Sequence, residues 1–437
     1  MSLSKSLVHL DGTTLEGGGQ LLRLALSLSS LTHIPIHVTD IRGKRGPLSL
    51  PGTGGGLKAS HLAGAEWLAR ATGAETEGMS IGSRELVFRP ARAASGAPIG
   101  SSSKEHSTGG NLISENLGVW QDLFDAGKLT CRASQIPVST PGSIPLVLQA
   151  ILPYLLFGLS SSLDKISSAV PLRITINGGT NVSSSPSIEY LSQVLFPMLC
   201  SKLGIPPITT TVHKRGWSTG GNMIGKVTFD LEPFTRGSVP PAFTFEDRGE
   251  LTKVHVSILA PDTKARSVIR NDVVANLLAF DPDIEILFPV DEGSGSDKRW
   301  YLLLVAEMSN GYRLGRDWLY DRKTKGFRVE ETCEKLVSKV VKDLKRELKH
   351  GGCVDEYMQD QLVVFQALAA GKAAIDAGKQ GASLHTQTAR WVVEKLLAVG
   401  FDEKGNCKGV RFCVGEDFQN RVKKVDDAVQ STAELTI

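Results

Sequence analysis

Three times along this chain a polar loop rich in small residues runs into an apolar stretch of helical length. Each stretch carries a glutamine at or near its start. EGGG precedes Gln20 and LLRLALSLSSL; TPGS precedes IPLVL, Gln149 and AILPYLLFGL; VDEYMQD precedes Gln361 and LVVFQALAAG. Each helix is followed by a linker and a second small-residue loop that feeds another helix: GTGGGLKASHLAGAEWLARA, GGTNVSSSPSIEYLSQVLFPMLCSKLG and GASLHTQTARWVVEKLLAVG. In the last, Ala389, Val392, Val393, Leu396 and Leu397 recur at the spacing of one buried helical face. Strand-like runs lie between and after the helices, at 34–41, 85–90, 172–176, 226–231 and 410–414. Long repeats that alternate strands with amphipathic helices predict an α/β (α+β) body of three units, with helices packed on sheets.

A different pattern interrupts the third unit. From 243 to 349 the sequence reads strand VHVSIL, helix RSVIRNDVVANLLAF, strands IEILFPV and WYLLLVAE, and a long closing helix. That helix has an apolar stripe through Cys333, Leu336, Val337, Val340, Val341 and Leu344. Its opposite face carries Lys335, Lys339, Lys342 and Lys345, a pattern typical of a solvated face. The expected organisation is a core of 1–242 and 350–437, with 243–349 as a small inserted α/β domain. The Gly/Ser-rich stretch 93–130 and the tail after Asp417 read as mobile loops.

Composition narrows the function classes. With 437 residues, 49 Lys+Arg against 46 Asp+Glu and a net charge of +3, the chain can bury a large core and does not grip long nucleic acid by bulk charge. A small charged site on a near-neutral body stays open. The six cysteines form no CxxC pair or metal-ligand spacing and read as thiols of a reducing compartment. The N-terminal segment lacks a secretory apolar stretch, and the most apolar window, 144–160, is interrupted by Pro145, Gln149 and Pro153. No membrane span is expected.

Several residues have the chemistry of a phosphate-handling site, although each has an ordinary structural alternative. His385, in SLHTQTA just before a helix, is either a plain helix-start residue, a metal ligand, or a nucleophile able to attack phosphorus and form a phosphoramidate. The loop VDEYMQDQ (354–361) is either a capped helix start or a nucleotide pocket, with Tyr357 against a base. EGGGQLLR is neither a P-loop nor a GxGxxG fingerprint, but its backbone N–H groups could cradle an anion. Glu16 either caps that helix or offers hard oxygens to a divalent cation. Arg23, Arg42, Lys44, Arg45 and Lys58 are surface charge or phosphate ligands, and arginine suits a terminal phosphate.

Together these segments resemble the RNA 3′-terminal phosphate cyclases. EGGGQLLRLALSLS is similar to that family's N-terminal loop and helix, IRGKR to its IR-x-x-R segment, GSIPLVLQ to its Gly-to-Gln helix and GGTNVSSSP to its GGTN loop; HGGCVDEYMQDQLVVFQALAAG and LHTQTA follow in the family's order. The resemblance implies three repeated βαβ-containing units plus a small inserted α/β domain, and an ATP-dependent reaction at RNA 3′-phosphate ends, with His385 as nucleophile and a histidine–AMP intermediate. It implies Gln149, Pro186, Tyr357, Met358, Gln359, Asp360 and Gln361 as the ATP pocket. Arg23, Arg42 and Arg45 are then the holders of the RNA phosphate, and Glu16 the acid associated with Mg²⁺ or Mn²⁺. RNA processing in the nucleus, with the cytoplasm also open, is the matching location. Two stretches depart from the family pattern: Ser60 stands where glutamine is usual, and RGWSTGGNMIGKV (215–227) lacks a Tyr-Pro pair and an unbroken Gly triplet. Cyclase-like proteins of ribosome biogenesis share the fold but lack the histidine, so a non-catalytic RNA-processing role is the main competitor. An enolpyruvate transferase, built of similar repeats, is a more distant one.

Overall fold

A computed structural model describes residues 7–45, 55–91, 119–125, 128–159, 170–322 and 328–420. The repeated pattern of the sequence becomes a repeated theme: strand, helix, parallel strand. In the first unit β1 (Val8–Asp11) leads through α1 (Gly19–Thr32) to β2 (Ile36–Thr39), and β1 pairs parallel with β2. After α2 (Ala59–Thr72), β3 (Glu75–Glu77) and β4 (Leu86–Arg89) complete a sheet of order β1-β2-β4-β3. The second unit repeats this with β6 (Lys128–Ile136), α3 (Ile144–Phe157) and β7 (Leu172–Gly178), again parallel. Its sheet also takes β5 (Gln121–Asp125), β8 (Thr209–Lys214) and β9 (Gly225–Leu231), in the order β5-β6-β7-β9-β8. The helix that follows GGTN runs from α4 (Ile188–Tyr190) through a π-helical turn at Leu191–Leu195 into α5 (Phe196–Leu203).

The third unit is reduced. Its parallel pair is only β10 (Thr244–Phe245) with β15 (Ala374–Ile375), although α8 (Glu356–Leu368) and α9 (Leu384–Leu397) are full length. The expected strand at 410–414 does not form. Its apolar alternation is satisfied by burying Phe412 and Val414, but the N–H groups of Val410, Arg411 and Phe412 bond to the carbonyls of Ala367, Ala369 and Leu368. The segment thus supplies partners to the C-terminal carbonyls of α8 and its cap residue, which need them as much as a sheet edge does. The loop expected over 93–130 is also too long, because β5 and the start of β6 pair within its last ten residues; 93–118 and the tail beyond 420 lie outside the described residues.

Between β10 and α8 stands the interrupting segment. β11 (Leu251–Ala260), α6 (Thr263–Leu278) and β12 (Glu285–Gly293) form another parallel βαβ crossover. β13 (Tyr301–Met308) and β14 (Arg313–Leu319) complete a sheet of order β12-β11-β13-β14. The sequence reading missed β14, whose charged residues hide its alternation. The last helix, α7 (Val329–His350), lays its apolar stripe on β13 and β14 and leaves Lys335, Lys339 and Lys342 exposed.

The core joins these parts. α1 packs against α2, α3 and α9, and α9 packs in turn on α8. α3 is apolar nearly all round and almost wholly buried, as such a helix must be. Among the described residues no helix is long and apolar enough to cross a membrane.

Candidate active site

Glycine shapes the first wall. Gly17 has φ +62°, a left-handed conformation that glycine adopts without strain. A Cβ on Gly18 would lie 2.3 Å from the Glu16 carboxylate, and one on Gly19 would lie 2.4 Å from the His61 ring. The triplet therefore lets a carboxylate and an imidazole close over the start of α1. Glu16 is tied to the third unit as well, its N–H donating to the Thr388 hydroxyl at 3.1 Å.

Five long helices begin around one cleft of about 980 Å³, α2 contributing Lys58, Ser60 and His61. Gly19 of α1, Ser143 at the cap of α3, Glu356 and Tyr357 of α8, and Ser383 with His385 at the start of α9 all line it. Helix N-termini present unpaired N–H groups and a partial positive charge, so their convergence suits phosphate. The segment 356–361, expected as a loop, is the first turns of α8. His385, expected just before its helix, is the second residue inside it. In both cases a capping side chain, Asp355 or Ser383, starts the helix earlier than the apolar periodicity does.

One end of the cleft is cationic. Arg23, Arg42, Arg45 and Lys58 line it together. Burial pulls the Arg23 guanidinium down to about 10, against the pull of Asp360, and Arg42 lowers it further. Arg42 is likewise lowered by burial, and Lys58 is lowered chiefly by its neighbour Arg42. Like charges held this close favour an incoming anion. His61 sits among them, buried, and is held neutral; burial and then Arg23, Arg42 and Lys58 push it down to about 3. Arg45 forms an ion pair with Glu16.

The other end is nucleotide-shaped in chemistry. Pro186 and the exposed ring of Tyr357 line it, with Gln149, Asp360 and Gln361. Gln149 Nε2 donates to Gln361 Oε1 at 2.6 Å, and Gln361 Nε2 donates to the Tyr357 carbonyl at 2.6 Å. The Tyr357 ring meets the Tyr190 ring edge-on at 6.0 Å, and the Arg316 guanidinium lies 4.7 Å from its centroid. Two expected pocket residues do not reach the cleft. Met358 is fully buried in the core, and Gln359 Oε1 accepts from the Thr386 hydroxyl at 3.3 Å, joining α8 to α9.

Sequence reasoning missed the contribution of β14. Asp317, Trp318, Leu319 and the following Asp321 line the cleft, as does Tyr301 of β13. Burial raises Asp317 to about 6, even though Tyr301 donates to it at 2.9 Å. Just beneath, the Gly315 N–H and Tyr190 hydroxyl both donate to Asp355 at 2.7 Å. No local motif marks these residues, since only pairing along β13 and α7 turns them toward the cleft.

Gln20 was also missed as a site residue. Its Nε2 donates to Asp360 Oδ2 at 2.5 Å and its Oε1 lies 2.6 Å from His385 Nδ1. Partial burial lowers the His385 imidazole, and Arg23 and Arg45 lower it further, so the ring is neutral near pH 7. Asp360 is raised to about 7 by burial, against the opposing pull of Gln20 and Arg23.

The Glu16 carboxylate fits a divalent cation. Both oxygens are buried; Oε1 pairs with the Arg45 guanidinium, and Oε2 has no hydrogen-bond partner among the described residues. Hard oxygen donors of this kind suit Mg²⁺ or Mn²⁺. Among the described residues no cluster of three or more His, Cys, Asp or Glu side chains forms a ready-made metal cage. A cation here would complete its shell with phosphate oxygens and water.

Comparison with known proteins agrees with this chemistry. A family model described as RNA 3′-terminal phosphate cyclase matches residues 14–402. An RNA 3′-terminal phosphate cyclase of Methanopyrus kandleri is 29% identical over 411 residues, covering 92% of this chain and 96% of the relative. A protein of Dictyostelium discoideum named probable RNA 3′-terminal phosphate cyclase is 28% identical, covering 90% of this chain and 77% of its own length.

Proposed function

The chain belongs to the RNA 3′-terminal phosphate cyclase family, and on that footing we propose that it uses ATP to close an RNA 3′-phosphate into a 2′,3′-cyclic phosphate. The observation that carries this reading is the joining, in one cleft, of a neutral histidine, a cationic end and an aromatic-and-amide end.

His385 Nε2, the ring nitrogen not engaged by Gln20, attacks the α-phosphorus of ATP. The P–N bond forms as the bond to pyrophosphate breaks. Tyr357 and Pro186 flank the base, while Gln149, Asp360 and Gln361 supply polar contacts to base edge or ribose. The RNA 3′-phosphate, held by Arg23, Arg42 and Arg45, then takes the AMP from the imidazole. An oxygen of that phosphate forms the new P–O bond, and His385 leaves. Finally the adjacent 2′-hydroxyl loses its proton and attacks the 3′-phosphorus, expelling AMP. This last step is intramolecular, so orientation alone supplies a large effective concentration. A divalent cation at Glu16 would neutralise phosphate charge. RNA-end processing in the nucleus or the cytoplasm is the matching setting.

Incubation with α-labelled ATP and Mg²⁺ tests the reading. The protein takes an acid-labile label, and His385→Ala abolishes it. A folded wild-type chain that takes no label, and leaves a 3′-phosphorylated RNA unchanged, overturns the proposal.

A further inference from the structure

We propose that Gln20 is a positioning residue that selects the nucleophilic tautomer of His385, with its own orientation set by Asp360. The inference deepens the reading of His385 as the attacking group and rests on it. Its basis is a three-member chain across three helices: Asp360 of α8, Gln20 of α1 and His385 of α9, joined at 2.5 and 2.6 Å.

An amide has a donor end and an acceptor end that look alike in shape. What decides its orientation here is the partner chemistry. The Gln20 NH₂ faces Asp360 and its Oε1 faces His385; Asp360, raised to about 7, enforces this orientation wherever it is ionised, because a carboxylate only accepts. Nδ1 must then carry the imidazole proton, and the lone pair is left on Nε2. The reversed amide would donate to Nδ1, put the proton on Nε2 and remove the nucleophile. Such a reversal needs a proton on Asp360, because its carboxylate would otherwise face the amide oxygen.

The surrounding charges favour the productive arrangement. Arg23 faces both Asp360 and His385, and Arg45 also faces His385. Asp355 and the Tyr190 hydroxyl face Asp360, and Glu356 faces His385, in the opposite sense. A neutral intermediary has a further consequence. A carboxylate bonded directly to the ring would raise the imidazole's pKa and protonate the nucleophile near neutrality. Glutamine passes on orientation without passing on charge.

Four variants and two readouts test this. With ¹⁵N-labelled histidine, and His385→Ala to identify the resonance, the wild-type ring shows the proton on Nδ1. In Gln20→Met that preference is lost, and single-turnover self-labelling at saturating ATP slows about tenfold or more, the scale of one strong hydrogen bond. Gln20→Glu keeps the Nδ1–H tautomer but moves the acid limb of the pH–rate profile upward by about one unit. Asp360→Asn, which leaves Gln20 in place, moves the proton toward Nε2 and serves if Gln20→Met does not fold. A wild-type ring protonated on Nε2 overturns the inference, as does a Gln20→Met protein with unchanged tautomer and rate. Should the wild type take no label at all, the functional reading fails, while the resonance still decides the tautomer.

Discussion

Asp355→Ala is the substitution whose effect the structure specifies most fully. The Asp355 side chain is buried at the start of α8 and accepts four hydrogen bonds. Two come from the Tyr357 and Met358 N–H groups at 2.9 Å, one from the Gly315 N–H and one from the Tyr190 hydroxyl at 2.7 Å. Loss of an N-cap costs about 1 kcal/mol. The Gly315 N–H and the buried Tyr190 hydroxyl would be left without acceptors, at about 1–3 kcal/mol each. Burial raises the Asp355 pKa, so removing the carboxylate recovers part of its desolvation cost. The expected net loss is about 3–5 kcal/mol. Urea unfolding of parent and variant at constant slope measures it. The account also predicts coupling: Tyr190→Phe destabilises the parent, but is neutral or stabilising in Asp355→Ala, where the hydroxyl has already lost its acceptor. Equal costs of Tyr190→Phe in both backgrounds, or a loss below about 1 kcal/mol for Asp355→Ala, would refute the reasoning. Because α8 carries Tyr357 and Asp360, KM for ATP should rise before folding is lost.

Arg316→Met leaves Glu347, one of the most buried carboxylates, without its ion-pair partner. We expect a loss of about 3–5 kcal/mol in chemical unfolding, largely recovered by adding Glu347→Leu; a single variant near parental stability contradicts this. Asp317, raised to about 6, stabilises fully below its unfolded value near 4, and that contribution is lost as pH rises through 6. Buried His61 acts in the opposite sense, its contribution being lost as pH falls from about 6.5 toward 3. Asp317→Asn should thus gain stability relative to the parent between about pH 4 and 6 and no further above it; a pH-independent difference between the two melting curves goes against the assignment. Glu16→Gln should raise the Mg²⁺ requirement of self-labelling at least about tenfold without unfolding the chain. An unchanged metal titration would remove Glu16 from that role.

Local chemistry alone already determined which stretches form helices and which residue types could meet phosphate. Gly17–Gly19 before an apolar run is a short-range feature and so is legible in a linear chain, whereas the caps at Asp355 and Ser383 start α8 and α9 earlier than apolar periodicity indicates. The family resemblance likewise pointed to His385, Glu16, Arg23, Arg42, Arg45, Gln149 and Gln361, all of which line the cleft. What the linear chain did not contain was contact. Glu16, Arg23, Arg42, His61, Gln149, Pro186, Asp317, Tyr357 and His385 share one cleft only because the long helices pack with their N-termini together. The same packing sends Met358 and Gln359 inward, brings Gln20 between Asp360 and His385, and lets β14 form a wall. It also makes 410–414 a cover for the end of α8, although its alternation reads as a strand. Alternation and periodicity record which side chains are buried; the partner of each side chain and each backbone N–H is a property of elements hundreds of residues apart, and it is settled only when they meet.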